Sequence, residues 1–296
     1  MPSTSTTQNR VATKQQQPIT PELRQWIIAQ AQAGFAAPSL LKSMTDSGWK
    51  EDVAIDALEV VLREHLNAVA VQNGLPTATP VPEPQLEESP LFVDVGDRQV
   101  EVLLEIANPR IVLFGNLLSR EECETLIGEA KPRMARSKTV ETKTGGEEVN
   151  ASRTSEGMFF QRGENEIVKK LEARIAKLVN WPLENGEGLQ ILHYGPGAEY
   201  KPHYDYFDPA EPGTATIIKR GGQRVGTLVV YLNNPTKGGG TVFPDIHLEV
   251  GPRQGNAVFF SYDRPHTSTK TLHGGSPVIE GEKWIATKWL RQGEFV

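Results

Sequence analysis

Apolar residues recur at helical spacing in three short stretches near the start of the chain. They alternate or run together in short, turn-bounded stretches through its second half. In "TPELRQWIIAQAQ", Thr20 is placed to cap a helix, Pro21 suits its first position and Glu22 its first turn, and Leu23, Trp26 and Ile27 share a face. A second helix is predicted over Pro38 to Thr45 and ends at "DSGW". A third runs from about Glu51 to Leu66, with Val53, Ala57, Val60 and Val61 as its stripe.

Beyond these the period changes. "IVLFGNLL", "GLQILHYG", "TLVVYLNN", "GTVFPD", "NAVFFSYD" and "EKWIATKWL" each read as strands, separated by Gly and Pro turns. Two helices precede most of them. One spans Ser119 to Arg133, with Ser119 and Glu122 forming a capping box, and the other spans Asn165 to Val179. Helices ahead of many short strands predict an α+β domain built on a β-sandwich or barrel.

The organisation that follows is a disordered Ser/Thr/Gln-rich tail over 1–18, a small helical domain over 19–68, a Pro-rich linker over 69–90 and a main domain over 91–296. The helical domain resembles the three-helix ubiquitin-associated modules, a likeness that suggests a protein partner for it. Five prolines in "GLPTATPVPEPQLEESP" and the lack of any hydrophobic period predict a stiff spacer. The same run, with Pro80, Pro82 and Pro84, has the extended character of a ligand for a neighbouring molecule's groove. "ETKTGGEEVNAS" (141–152) and "DPAEPGTATIIKRGG" (208–222) have the composition of loops that close over a site.

Composition narrows the function. With 38% hydrophobic and 23% charged residues the chain is an ordinary globular protein. A net charge of -6 without a basic run argues against nucleic acid, and no apolar run is long enough for a membrane span. A single cysteine, Cys123, permits neither an internal disulfide nor a thiolate metal cluster, and no secretory signal is visible, so a cytoplasmic setting is expected. Nucleotide-binding glycine motifs and the serine-hydrolase elbow are missing from the text.

Of the six histidines, His65, His193, His247 and His266 suit structural roles. His203 and Asp205 differ, because side chains two apart on a strand share a face. Joined by the distant His273, they fit two imidazoles and a carboxylate on one side of a metal, a donor set suited to non-haem Fe(II) and also usable by zinc. In "EKWIATKWL", Lys283, Ile285, Thr287 and Trp289 share one strand face, with Trp284, Lys288 and Leu290 on the other. An inward Lys283 needs an anionic partner, and a carboxylate cosubstrate would provide one. Replacing Lys288, on the opposite face, is expected to change the requirement for such a cosubstrate little.

Tyr194 in "HYGPG", the His203/Asp205 pair, His273, Lys283 ten residues later and Trp289 together resemble the prolyl 4-hydroxylases, closest to the collagen- and plant-type branch. "RTSEGMF", "GGGTVFP" and "SPVI" extend the likeness over roughly residues 95–296, although Ser276 stands where the family often has cysteine. The N-terminal module is not typical of such enzymes. The resemblance implies a double-stranded β-helix (jelly-roll) with flanking helices, holding Fe(II) on His203, Asp205 and His273. It implies 2-oxoglutarate on Lys283, helped by Tyr194, Thr241 and Trp289, with O2 as oxidant and ascorbate as reductant. Tyr200, Arg153 and Arg224 would face a proline-containing peptide. The reaction implied is hydroxylation of peptidyl proline, coupled to decarboxylation of 2-oxoglutarate to succinate and CO2. Two alternatives are an oxygenase of a free amino acid or other small molecule, and an oxygen or 2-oxoglutarate sensor whose N-terminal helices are the output.

Overall fold

A computed structural model of the chain describes residues 18–136, 139–140, 147–148 and 154–296. The tail, Arg153 and nearly all of the 141–152 loop lie outside the described residues. The chain divides into two compact units, 1–77 and 78–296.

In the first unit, helix α1 (Pro21–Gln32) begins at Thr20, whose hydroxyl accepts from the Leu23 N–H at 3.3 Å. Helices α2 (Ala37–Asp46) and α3 (Glu51–Gln72) follow. Ile27, Leu40, Met44, Ala54, Leu58 and Val61 form their shared apolar cluster. Helix α3 outruns its expected end at Leu66, because nothing in "NAVAVQ" breaks a helix before Gly74. Among the described residues no helix is long and apolar enough to cross a membrane.

The second unit opens with strands β1 (Phe92–Asp94), β2 (Gln99–Ile106) and β3 (Arg110–Gly115). Strand β3 stops where Asn116 turns into the left-handed region at φ 57. Helix α4 (Arg120–Ala130) carries the expected capping box: Ser119 accepts from the Glu122 N–H while Glu122 accepts from the Ser119 N–H. Short strands β4 (Ala135–Arg136), β5 (Thr139–Val140) and β6 (Glu147–Glu148) lead to β7 (Glu156–Phe160) and helix α5 (Glu166–Leu178). Then come β8 (Leu189–Tyr194), β9 (Tyr200–His203), the one-turn helix α6 (Thr214–Ile217) and β10 (Arg224–Tyr231). The remainder is β11 (Lys237–Gly238), β12 (Thr241–Phe243), β13 (Leu248–Val250), β14 (Ala257–Ser261), β15 (His273–Gly275), β16 (Val278–Glu280) and β17 (Lys283–Arg291).

Nine strands make one antiparallel sheet in the order β1-β2-β3-β14-β10-β17-β8-β7-β4, and four make a second in the order β13-β12-β15-β9. Alternation along the central strands divides the core in two. Leu228, Val230, Phe259, Ala286 and Leu290 pack with Leu126 of α4 and Leu171 and Ile175 of α5. Val229, Tyr231, Val258, Phe260 and Ile285, one residue out of phase, pack with Phe243 and Val250 of the smaller sheet. The inner face of β17 expected from the sequence is therefore the face that meets the second sheet.

The Pro-rich run departs from expectation. Rather than a spacer extending to residue 90, residues 79–86 lie along the second unit. The Thr79 N–H donates to the Asp263 carbonyl at 2.8 Å and the Glu83 N–H to the Val179 carbonyl at 2.9 Å. Pro82, Pro84 and Leu86 are buried, and Leu86 belongs to the helix-side core. Proline has no amide to leave unsatisfied and little conformational entropy to lose, so a proline-rich strap can pack where no periodic pattern announces it. Gly226 admits it, since a Cβ there would lie 2.9 Å from Pro82 Cγ. Leu86→Ala is expected to lower the unfolding free energy of this unit by about 2–4 kcal/mol in urea denaturation, whereas a free spacer would show no change.

Candidate active site

Strands β9 and β15 pair so that His203 and His273 stand opposite each other, with ring centroids 4.4 Å apart. The strands approach closely beside this pair. A Cβ on Gly274 would sit 2.8 Å from the Tyr200 carbonyl oxygen, so glycine is what lets the two imidazoles meet. Asp205 joins them differently from the strand-face expectation. Strand β9 ends at His203, and Asp205 lies in the bend that follows, buried and held by the Thr227 hydroxyl, which donates to Oδ2 at 2.7 Å.

Both imidazoles are set for metal binding. His203 Nδ1 faces the Lys201 carbonyl and His273 Nδ1 the Thr271 carbonyl, each at 2.9 Å. A carbonyl only accepts, so each Nδ1 carries the proton and each Nε2 lone pair faces inward. Donor atoms of His203, Asp205 and His273 lie within 4.8 Å of one another. Burial pushes His273 down to about 4, against the pull of Asp205, which leaves the ring neutral near pH 7. Burial would raise Asp205, but its interactions with His273, His203 and Arg224 outweigh burial and hold the carboxyl well below its usual range. Two neutral imidazoles and one carboxylate fit a divalent transition metal and leave open coordination positions.

Lys283 lines the same pocket and is only 3% exposed. Its ammonium makes no hydrogen bond or ion pair among the described residues, and lies 5.5 and 5.9 Å over the Tyr194 and Tyr231 rings. Burial pulls it down to about 8, with Glu249 opposing. Tyr194 is its cross-strand neighbour, and Thr241, which accepts from the Tyr231 hydroxyl at 2.8 Å, lines the pocket nearby. A buried cation without an anion is a binding site for one.

Two sequence expectations need correction here. Arg224 is not presented to a peptide: it is 8% exposed, and its guanidinium makes a two-pronged ion pair with Glu187 at 2.6 and 3.0 Å while lying 3.9 Å over the Trp289 ring. The buried Arg291 shares Glu187 at 2.7 Å. Trp289 lines the pocket but not at the lysine end. It pairs across β10 with Thr227, whereas Lys283 pairs with Tyr194, six residues or roughly 20 Å of strand away. Tyr200 stacks on His203 with centroids 3.8 Å apart and lines the pocket. The expected loop over 208–222 contains α6 and internal bonds such as Thr214 Oγ1 to the Asp208 carbonyl at 2.6 Å.

The sequence reading missed Thr227, Tyr262 and Glu187. A signal existed for Thr227, a polar residue in phase with Val229 and Tyr231 on an otherwise apolar strand. Glu187 had none, because its partners stand 37 and 104 residues away.

Residues 189–291 match the family described as the 2OG-Fe(II) oxygenase superfamily. The chain is 42% identical over 221 residues to the probable prolyl 4-hydroxylase 3 of Arabidopsis thaliana, covering 68% of this chain and 75% of that protein. Prolyl 4-hydroxylase 5 of the same plant is 43% identical over 221 residues, with 68% and 74% covered. Among solved structures, the chain is similar to the viral collagen prolyl hydroxylase of Paramecium Bursaria Chlorella virus-1 in complex with 2OG. That likeness has 33% identity, covers 61% of this chain and 95% of the viral chain, and has a TM-score of 0.48.

Proposed function

The chain belongs to the prolyl 4-hydroxylase family of 2OG-Fe(II) oxygenases, and from that membership we propose that it hydroxylates peptidyl proline while converting 2-oxoglutarate to succinate and CO2. The observation that carries the assignment to this site is the convergence, in one pocket, of a two-histidine, one-carboxylate donor set with a buried lysine that has no ion pair among the described residues. The facing nine- and four-stranded sheets support reading the fold as a double-stranded β-helix.

His203, Asp205 and His273 would hold the iron through their inward donor atoms. Bound Fe(II) and 2-oxoglutarate supply the activation of O2 and the oxidation of a ring carbon. Lys283 binds the far carboxylate of the cosubstrate, with Tyr194 and Thr241 as polar neighbours. Phe243 and Phe260, in contact with the His273 ring, wall water from that side. Trp289, at the far end of this strand face from Lys283, and Tyr200, stacked on His203, are suited to receive a proline ring. Arg224 acts from behind Trp289, fixing the indole plane rather than touching peptide. Ascorbate as reductant follows from the family resemblance, and the lone buried Cys123 supports a cytoplasmic setting. A protein partner for α1 to α3 is part of the same proposal, supported by the exposed Phe35 in the turn between the first two.

Incubation with a proline-rich peptide, Fe(II), O2 and 2-oxoglutarate is expected to add one oxygen atom per modified proline, with succinate formed in equal amount. Mass spectrometry of the peptide and succinate assay provide the test. Succinate without any peptide oxidation, across proline-rich and collagen-like sequences, would be uncoupled decarboxylation and would count against peptidyl proline as the substrate.

A further inference from the structure

A carboxylate that binds a metal through both oxygens occupies two coordination positions, and through one oxygen only one. With two imidazoles on an octahedral ion, the first arrangement leaves two open positions and the second leaves three. A 2-oxo acid chelating through its keto and carboxylate oxygens takes two, so O2 needs the third. Something must therefore hold Asp205 to a single bond.

We propose that Thr227 and Tyr262 form a positioning relay that occupies Asp205 Oδ2 and leaves Oδ1 as the only metal-binding oxygen. This rests on the iron reading above. The direction of the relay follows from donor chemistry. A carboxylate only accepts, so the single Thr227 proton goes to Oδ2 at 2.7 Å. The Tyr262 hydroxyl, 3.0 Å from Thr227 Oγ1, must then donate to it. His273 Nε2 is 3.4 Å from Oδ2 and His203 Nε2 is 3.5 Å from Oδ1, but with each ring protonated at Nδ1 neither competes as a donor. Oδ1 receives no hydrogen bond among the described residues.

All three side chains are buried, so no water substitutes freely for a missing hydroxyl. Each donor polarises the next, and Oδ2 loses basicity to Thr227 that it would otherwise offer a metal. Burial also holds the Tyr262 phenol well above its ordinary range, so it remains a donor at any working pH. Thr227 and Tyr262 sit on adjacent paired elements, at the inward face of β10 and just past the end of β14, which fixes their separation through the sheet.

The test separates metal binding from cosubstrate binding and needs no turnover. Mn(II) is titrated into the full-length protein and followed by the electron paramagnetic resonance of the free ion. 2-Oxoglutarate is then titrated into the Mn(II)-loaded protein by calorimetry. Thr227→Val keeps the shape and removes the donor. It is expected to bind Mn(II) at least as tightly as the unmodified protein but 2-oxoglutarate about tenfold more weakly. Thr227→Ser restores 2-oxoglutarate binding, and Tyr262→Phe falls between. Unchanged 2-oxoglutarate affinity in Thr227→Val overturns the relay. So does a joint loss of Mn(II) binding and melting temperature, which marks a merely structural residue. Failure of the unmodified protein to bind Mn(II) overturns the iron reading, and the relay with it.

Discussion

Replacing His273 with alanine is expected to reduce Fe(II)-dependent succinate formation by more than about a hundredfold. Losses of that size already accompany changes to groups that only orient a ligand, and His273 is itself a proposed donor. His203→Ala and Asp205→Ala should match it, because a site with three protein donors has none to spare. The protein should stay folded in each case, since the surrounding walls are sheet residues with their own core. Metal content after reconstitution, measured beside succinate, checks the cause. Full activity in any one variant removes that residue from the metal. Acid should act on the same group. His273 sits at about 4 when folded, against an ordinary value of 6.5. The unfolded chain therefore binds its proton first, and the stability from the neutral buried ring is complete above about pH 6.5 and lost as pH falls toward 4.

The two lysines of β17 should fail in opposite ways. Lys283→Ala removes a buried cation that has no ion pair among the described residues, so its melting temperature should hold or rise. Its affinity for 2-oxoglutarate should fall by about 2–5 kcal/mol, roughly thirtyfold to several thousandfold. The ammonium is the binding form and lies at about 8 in the free protein, so affinity should hold below pH 8 and weaken about tenfold per unit above it. Lys288, on the opposite face and expected to matter little for 2-oxoglutarate, is 2% exposed and binds the Glu172 carboxylate and the Glu187 carbonyl, which gives it a role in stability. Lys288→Ala leaves the buried Glu172 with the Gly163 N–H but without its Lys288 counter-charge, a change that costs about 3–5 kcal/mol of stability. Calorimetric melting and 2-oxoglutarate titration on both variants form the test. A shared loss of cosubstrate affinity would contradict the strand faces.

What the sequence could express was periodicity and local spacing. Alternation in "EKWIATKWL" assigned Lys283, Ile285, Thr287 and Trp289 to one face, and all four line the pocket. Thr20, Pro21, Ser119 and Glu122 marked helix starts because capping is decided within a few residues. Partners distant in sequence were illegible. Arg224 read as a substrate residue because an arginine near a site has no visible mate in one dimension. Glu187 and Arg291 supply that context only once β10 and β17 are paired. The distance between Trp289 and Lys283 was available from strand rise alone, but following the resemblance placed both on one ligand.

The strap along the second unit also decides what the enzyme can do to itself. A hydroxylase of peptidyl proline carries a proline-rich run in its own covalent structure, and hydroxylation would place a polar group on a pyrrolidine ring. Pro82 and Pro84 are buried against the unit that would modify them, while Pro80 stays exposed. For either buried ring to reach a neighbour's pocket, the Glu83 bond to Val179 and the packing of Leu86 would have to open first. Self-substrate behaviour is thereby coupled to local unfolding, and the folded state grants two of its own prolines immunity from the reaction.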